Sequence, residues 1–355
     1  MGALNLCVFF RGWYCGTTQR SIEAMAFLRT KLLAPLALIL LAQCGGESNA
    51  PTPASDAGAD EGRDFSRYPT VLDHAAVTTL YAVSDIHGGY GRLITLLSQN
   101  GIIAREPAVP EAVEWAAGEA VLVVVGDLFN KGPQGLYVLS LVQALTLRAA
   151  EAGGSVIFLM GNHEAEFLAN PENDKAAAID GVDQEIRTLG LTPAQVASEM
   201  DERGAWLRKQ PFALRIGAWF FCHAGDTQGR SMAELEATLQ KALRQNSYRD
   251  VEIIGDDSIL ESREWYIDHP NRPAKYAAAL GVKHIVFGHQ PDALGPAGAI
   301  GSGYSGALFR IDCGMSPQID DSKGCLLRVK HSAAEDVADS LDQKGRVTEL
   351  WRGPS

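Results

Sequence analysis

The stretch Tyr81-Ala-Val-Ser-Asp85-Ile-His87-Gly88-Gly89 decides how the chain reads. A short apolar, β-prone run ends in an aspartate and a histidine two residues apart, and glycines follow at once. At the end of an extended strand, residues i and i+2 point the same way. Asp85 and His87 therefore aim a carboxylate oxygen and an imidazole nitrogen at one point. That geometry suits a divalent cation.

Four further β-runs end in polar residues. Val121–Val125 leads into Gly126-Asp127-Leu-Phe-Asn130-Lys131-Gly132-Pro133, and Val156–Met160 leads into Gly161-Asn162-His163-Glu164. Trp219–Cys222 leads into His223-Ala224-Gly225-Asp226, and His284–Phe287 into Gly288-His289-Gln290-Pro291. Helical patterns at Gly91–Asn100, Leu136–Ala150, Ser231–Gln245 and Arg272–Leu280 lie between them, and strands are expected again at Gly306–Cys313 and Gly324–His331. Phe212–Cys222 reads as a strand pair or one bent strand around Gly217. The alternation predicts a layered α/β fold. In open α/β sheets, sites form at the carboxyl ends of strands. Glycine beside a ligand lets the backbone turn sharply and keeps the cavity open.

The bulk numbers are those of an ordinary soluble globular protein. Hydrophobic residues make up 46% of the 355 positions and charged residues 21%, ordinary for a globular protein. The net charge of −12 argues against a general nucleic-acid binder, which carries a basic face. Phosphorylated substrates stay open, because a metal site supplies its own positive charge. Among the six cysteines no CxxC or zinc-like spacing occurs. Cys222, Cys313 and Cys325 fall in the folded part. They are expected as small buried hydrophobes, with room for one disulfide at most.

The ordered set DIHG, GDLFNKG, GNHE, HAG and GH resembles the calcineurin-like metallophosphoesterases. Within them it is most similar to the phosphoprotein phosphatase branch, particularly its bacterial, Shewanella-like members. The resemblance covers about Val77 to Val329 and implies an α-β-β-α sandwich with a two-metal site at the carboxyl ends of the strands. It implies that Asp85 and His87 hold one ion, that Asp127 bridges both, and that Asn162, His223 and His289 hold the second. Oxygen and nitrogen donors suit Mn, Fe or Zn.

The same resemblance implies hydrolysis of phosphomonoesters by a hydroxide activated between ions roughly 3.5 Å apart, with no covalent intermediate. His163 takes the general-acid role. Two positions depart from the usual pattern. Asn130 stands where many relatives place the aspartate that orients this histidine. An amide accepts a hydrogen bond but stabilises imidazolium less. Lys131 stands where most have arginine, and it is a point charge without the bidentate fork. Arg263, in Glu261-Ser-Arg263-Glu-Trp265, is a second expected phosphate clamp. Glu164 is expected as a helix N-terminal or supporting carboxylate, and Asp312 as a residue that shapes a loop. His74, His269, His284 and His331 read as structural or solvated.

The expected partner is thus a phosphorylated protein or peptide, or a small phosphoester. Asn130 and Lys131 keep a second reading open, a dinucleoside polyphosphate hydrolase or nucleotidase. A third is a non-catalytic binding lipoprotein.

Domain organisation follows from composition. Residues 1–24 read as an upstream extension from an early start. Residues 25–44 read as a leader: Met25, basic Arg29 and Lys31, an apolar run from Leu32 to Ala42, then Cys44 as a lipid-attachment site. Gln43 departs from the small residue that usually precedes such a cysteine. The apolar run is too short to span a membrane comfortably. Residues 45–67 read as a flexible tether, and 68–335 as the catalytic domain. A helical insert at about 164–209 is expected as a lid that shapes specificity. Residues 336–355 read as a C-terminal extension with a terminal strand at Val347–Trp351. The protein is expected to be exported.

Overall fold

The computed structural model describes residues 63–319 and 322–355. The leader at 25–44, its Cys44, the extension before it and most of the 45–67 tether lie outside the described residues.

The strands are β1 (Val71–His74), β2 (Thr79–Ser84), β3 (Val121–Val125), β4 (Ser155–Leu159), β5 (Ala213–Ile216), β6 (Trp219–Cys222), β7 (His284–Phe287), β8 (Gly301–Gly303), β9 (Leu308–Arg310), β10 (Cys325–His331), β11 (Asp336–Asp342) and β12 (Val347–Gly353). The helices are α1 (Tyr90–Gln99), α2 (Gly135–Glu151), α3 (Asn162–Ala169), α4 (Asp174–Ala177), α5 (Val182–Thr188), α6 (Pro193–Ala197), α7 (Glu202–Leu207), α8 (Met232–Asn246), α9 (Val251–Ile254) and α10 (Arg272–Leu280). None of the described helices is long and apolar enough to cross a membrane.

Two six-stranded sheets form, in the orders β12-β11-β10-β2-β3-β4 and β1-β5-β6-β7-β9-β8. The β-branched run of β3 shows why they stack. Val121, Val123 and Val125 join Leu80, Leu214, Phe221, Val286 and Leu327 in the core between the sheets. Leu122 and Val124 face the opposite way, into the cluster built with Leu93, Leu97, Val138 and Val142 of α1 and α2. A strand apolar on both faces needs cover on both. The result is the expected helix–sheet–sheet–helix layering.

β2, β3 and β4 run parallel, as do β6, β7 and β9. Their carboxyl ends meet where the two sheets converge. Gly288 N–H donates to His223 C=O at 2.8 Å, and His289 N–H donates to the Asp85 carboxylate at 3.0 Å. Those bonds tie the ends of β6 and β7 to the end of β2.

Two boundaries differ from expectation. The folded chain already includes Arg63, whose guanidinium donates to the carbonyls of Tyr68, Pro69 and Arg208. Residues 336–355 are not an extension, because β11 pairs antiparallel with β10 along its whole length and β12 pairs with β11. The polar reading of this segment misled because its acids are buried with partners. Trp219 Nε1–H donates to Asp336, and Arg328 pairs with Asp339. Cys313 and Cys325 form the one disulfide for which the sequence left room, with Cα atoms 5.8 Å apart, while Cys222 is free and buried. Phe212–Cys222 resolves into the β5–β6 hairpin.

Candidate metal centre

The site grows out of the strand ends. β2 ends at Ser84 and delivers Asp85 and His87; β3 ends at Val125 and delivers Asp127, Asn130 and Lys131. β4 ends at Leu159, and α3 begins with Asn162 and His163. β6 and β7 deliver His223 and His289. Six of these residues hold left-handed backbone: Asp85, His87, Asp127, Asn130, Lys131 and His289, with φ from 47 to 65°. Non-glycine residues seldom adopt that region, and such strain gathers at functional sites. Two glycines make the room. A Cβ on Gly288 would lie 2.2 Å from Asp85 Oδ2, and one on Gly161 would lie 2.3 Å from Asp127 Oδ1.

All six expected ligands converge and are buried. The two oxygens of Asp127 face different histidines: Oδ2 is 3.4 Å from His87 Nε2, and Oδ1 is 3.3 Å from His223 Nε2. His87 Nδ1–H donates to Phe129 C=O and His223 Nδ1–H to Val125 C=O, at 3.2 and 3.0 Å. Each ring therefore turns Nε2 toward the cluster, the outer hydrogen bond setting the inner ligand atom. His289 Nε2–H donates to Glu261 C=O at 3.1 Å, leaving Nδ1 as that ring's acceptor. Two sets of three ligand atoms, from His87, Asp127 and His163 and from Asp127, His223 and His289, lie within 4.8 Å of one another.

The donor set fits a cation. Asn162 Oδ1 stands 3.0 Å from His223 Nε2, beside Asp127 Oδ1. Three acceptor atoms this close repel unless a proton or a metal lies among them. Burial works against a charged His223, yet the Asp127 carboxylate outweighs it and raises the imidazole to about 10. Asp127 is itself held well below the usual range: burial opposes this, and His223 and His163 overcome it. Burial pulls His289 down to about 2 and lowers His87.

Beyond the ligands, Asn130 lies against His163 with Nδ2 2.9 Å from Nδ1. The amide donates here instead of accepting, because Val182 N–H takes its oxygen at 2.9 Å. The His163 proton is thereby assigned to Nε2, 3.8 Å from Asp127 Oδ2. Burial holds His163 well below the ordinary imidazole range, so the ring is neutral with its N–H turned inward. Lys131 reaches into the cluster with Nζ 3.1 Å from His87 Nε2. Lys131 and Arg263 line both cavities that flank the cluster; the larger, about 570 Å³, also takes in Asn162, His163, Lys175 and His289.

Three groups support the site: Glu164, expected as a supporting carboxylate, and Glu261 and Ser316, whose roles show only in the structure. Glu164 accepts from the backbone N–H groups of Asp127, Leu128 and Gly161 at 3.0, 2.8 and 3.2 Å. Burial, then the Asp127 charge, pushes it up to about 8. Glu261 accepts from Asn162 Nδ2 at 2.9 Å and so turns the amide oxygen toward His223. Ser316 hydroxyl donates to Lys131 C=O at 2.8 Å, which ties the loop inside the disulfide to the site. Asp312 accepts from Gly314 N–H at 3.0 Å in that loop, as expected of a loop-shaping residue. His284 is buried and stacked on Trp219 at 3.9 Å.

Comparison with known proteins gives the same answer. The sequence model of the calcineurin-like phosphoesterases matches residues 78–293. A symmetrical bis(5'-nucleosyl)-tetraphosphatase of Janthinobacterium is 32% identical over 51% of this chain and 60% of its own length. One from Escherichia coli is 33% identical over 47% and 52%. The chain thus spans little more than half of these relatives. An uncharacterized protein of Schizosaccharomyces pombe is 25% identical over 80% of this chain and 84% of its own. Among solved structures, the cold-active protein-tyrosine phosphatase of a Shewanella species superposes with a TM-score of 0.64 at 20% identity, covering 79% of this chain and 82% of its own. That likeness shows the fold. The family binds two divalent metal ions, for which the buried Asp and His groups here offer ligands. The chain belongs to the calcineurin-like phosphoesterase family, and it is a metal-dependent phosphoric ester hydrolase.

Proposed function

We propose that the chain is a phosphomonoesterase of the protein-phosphatase type. Asp85, His87 and Asp127 would hold one ion; Asp127, Asn162, His223 and His289 would hold the other. The observation that carries this assignment is the Asp127 carboxylate, whose two oxygens face His87 and His223 separately. Bound ions supply positive charge for phosphate oxygens and lower the pKa of a water.

The chain's own groups do the rest. His163 keeps its proton on Nε2, facing the cavity, and passes it to the leaving oxygen as the P–O bond breaks. Asn130 fixes that tautomer and, through Val182, the ring's orientation. Lys131 and Arg263 provide the mouth's cations for phosphate oxygens, and Lys175 is paired with Glu166 at 2.5 Å. So few free cations suit one phosphate group better than a polyphosphate chain. A second reading, cleavage of dinucleoside polyphosphates, is favoured by the identity to the two tetraphosphatases.

A panel on the full chain supplied with Mn or Zn decides between them. We expect kcat/KM on phosphopeptides to exceed that on bis(5'-nucleosyl) tetraphosphate by about tenfold or more, close to 1.4 kcal/mol of transition-state preference. The reverse order selects the second reading.

Export through the leader, with a lipid on Cys44, belongs to the same proposal. The Cys313–Cys325 disulfide supports it, since such bonds persist in oxidising compartments. Fractionation that finds the protein in the cytosol, or no labelled palmitate on it, would overturn it.

A further inference from the structure

Nine large hydrophobic side chains stand exposed among the described residues, and four of them line one cleft of about 550 Å³: Val109, Tyr137, Ile179 and Leu189. Their side chains come from separate segments: the link from α1 to β3, the first turn of α2, the link from α4 to α5, and the end of α5. Ile179 is 84% exposed, a costly arrangement unless something covers it. Apolar groups converging in a concavity mark a ligand groove more often than chance placement does.

The cleft adjoins the candidate active site. Ile179 and Asp180 belong both to its wall and to the cavity lined by His163, Lys131 and Arg263. A substrate whose phosphate sits at the metal ligands extends past Ile179 into it. The cleft's rim is acidic, with Glu111 and Asp180, and Arg203 is paired with Asp201 at 2.6 Å. An acidic rim repels the further phosphates of a nucleotide chain. It accepts an apolar side chain with neutral or basic neighbours.

We infer that this cleft seats an apolar side chain lying within a few residues of the phosphorylated residue of an extended peptide. The inference rests on the protein-phosphatase reading and names the part of the peptide that the chain recognises. The helical insert supplies Ile179, Asp180 and Leu189 to it, which gives that insert its role in specificity.

The test uses the full chain with Mn and a set of phosphopeptides that differ only in Leu or Glu at each of the three positions on either side of the phosphorylated residue. Phenyl phosphate and bis(5'-nucleosyl) tetraphosphate complete the panel. At one or more positions, Leu should exceed Glu in kcat/KM by about tenfold or more, the range that one pocketed side chain gives. Leu189→Asp should bring that ratio close to one, and Leu189→Met should keep it. Leu189 and Tyr137 are more than half exposed, so changes there leave the core intact. Peptide turnover with no Leu preference at any position, or a preference untouched by both Leu189→Asp and Tyr137→Ala, overturns the cleft assignment and leaves the phosphatase reading standing. Turnover of the tetraphosphate without any peptide turnover overturns both.

Discussion

Asn130 holds His163 through a hydrogen bond that runs from amide to imidazole, Nδ2 to Nδ1 at 2.9 Å, and Val182 N–H fixes the amide's direction. An aspartate there would accept from Nδ1–H and favour imidazolium. The amide instead favours neutral imidazole with its proton on Nε2. Removing it frees the ring and strands the buried Val182 N–H. We expect Asn130→Ala to lower kcat on esters with poor leaving groups by roughly tenfold to a hundredfold. Aryl esters with good leaving groups should change little. A leaving-group series measures this, and a uniform loss across it contradicts the positioning role.

The same series tests His163 directly. His163→Asn should retain both metals, read by elemental analysis of the purified protein. Turnover of unactivated esters should fall by roughly 10² to 10⁴, the usual worth of a general acid. Loss of metal together with activity would make His163 a ligand instead.

Glu164 is a matter of stability. Its carboxyl group serves three backbone N–H groups in the loops that carry Asp127 and Asn162. Each buried donor left without a partner costs about 1–3 kcal/mol. Glu164→Ala should therefore lower unfolding free energy by about 3 kcal/mol or more, seen as a lower Tm or denaturant midpoint. A shift below about 1 kcal/mol contradicts this account.

Asp336 gives a pH dependence away from the metal ligands. Burial tends to raise it, but the Trp219 indole N–H and His331, whose Nδ1 lies 2.6 Å from Oδ1, lower it on balance. A carboxyl with a depressed folded pKa contributes stability above its unfolded value, about 3.9, and loses it as pH falls through the folded pKa. Asp336→Asn should cost about 1–2 kcal/mol at pH 7, and the gap to the parent should close below about pH 4. Denaturation curves at neutral and acid pH check it. A gap independent of pH would mean that the carboxylate charge contributes nothing.

What the sequence carried and what it hid divide along physical lines. The candidate ligands were legible because each sits within a few residues of a strand end, where strand period and glycine spacing are local facts. Asp85 and His87 point the same way for that reason alone. The buried run Val121–Val125 likewise announced a strand covered on both faces. Groups that act across the chain were not legible. Val182 meets Asn130 across 52 residues, and Glu261 meets Asn162 across 99. β11 was missed because Asp336 and Asp339 look solvated until Trp219 and Arg328 are placed beside them. The apolar cleft is built from four segments, none of which looks unusual by itself.

The account turns on Asp127 as the one carboxylate between two ions. The most direct measurement is the metal content of the full chain and of Asp127→Asn, by elemental analysis after reconstitution with Mn and removal of free ions, alongside aryl phosphate hydrolysis. The parent should hold about two ions per chain. The variant should lose at least one of them and fall to background turnover. A variant that keeps both ions and its activity would contradict the bridging assignment and the site built on it.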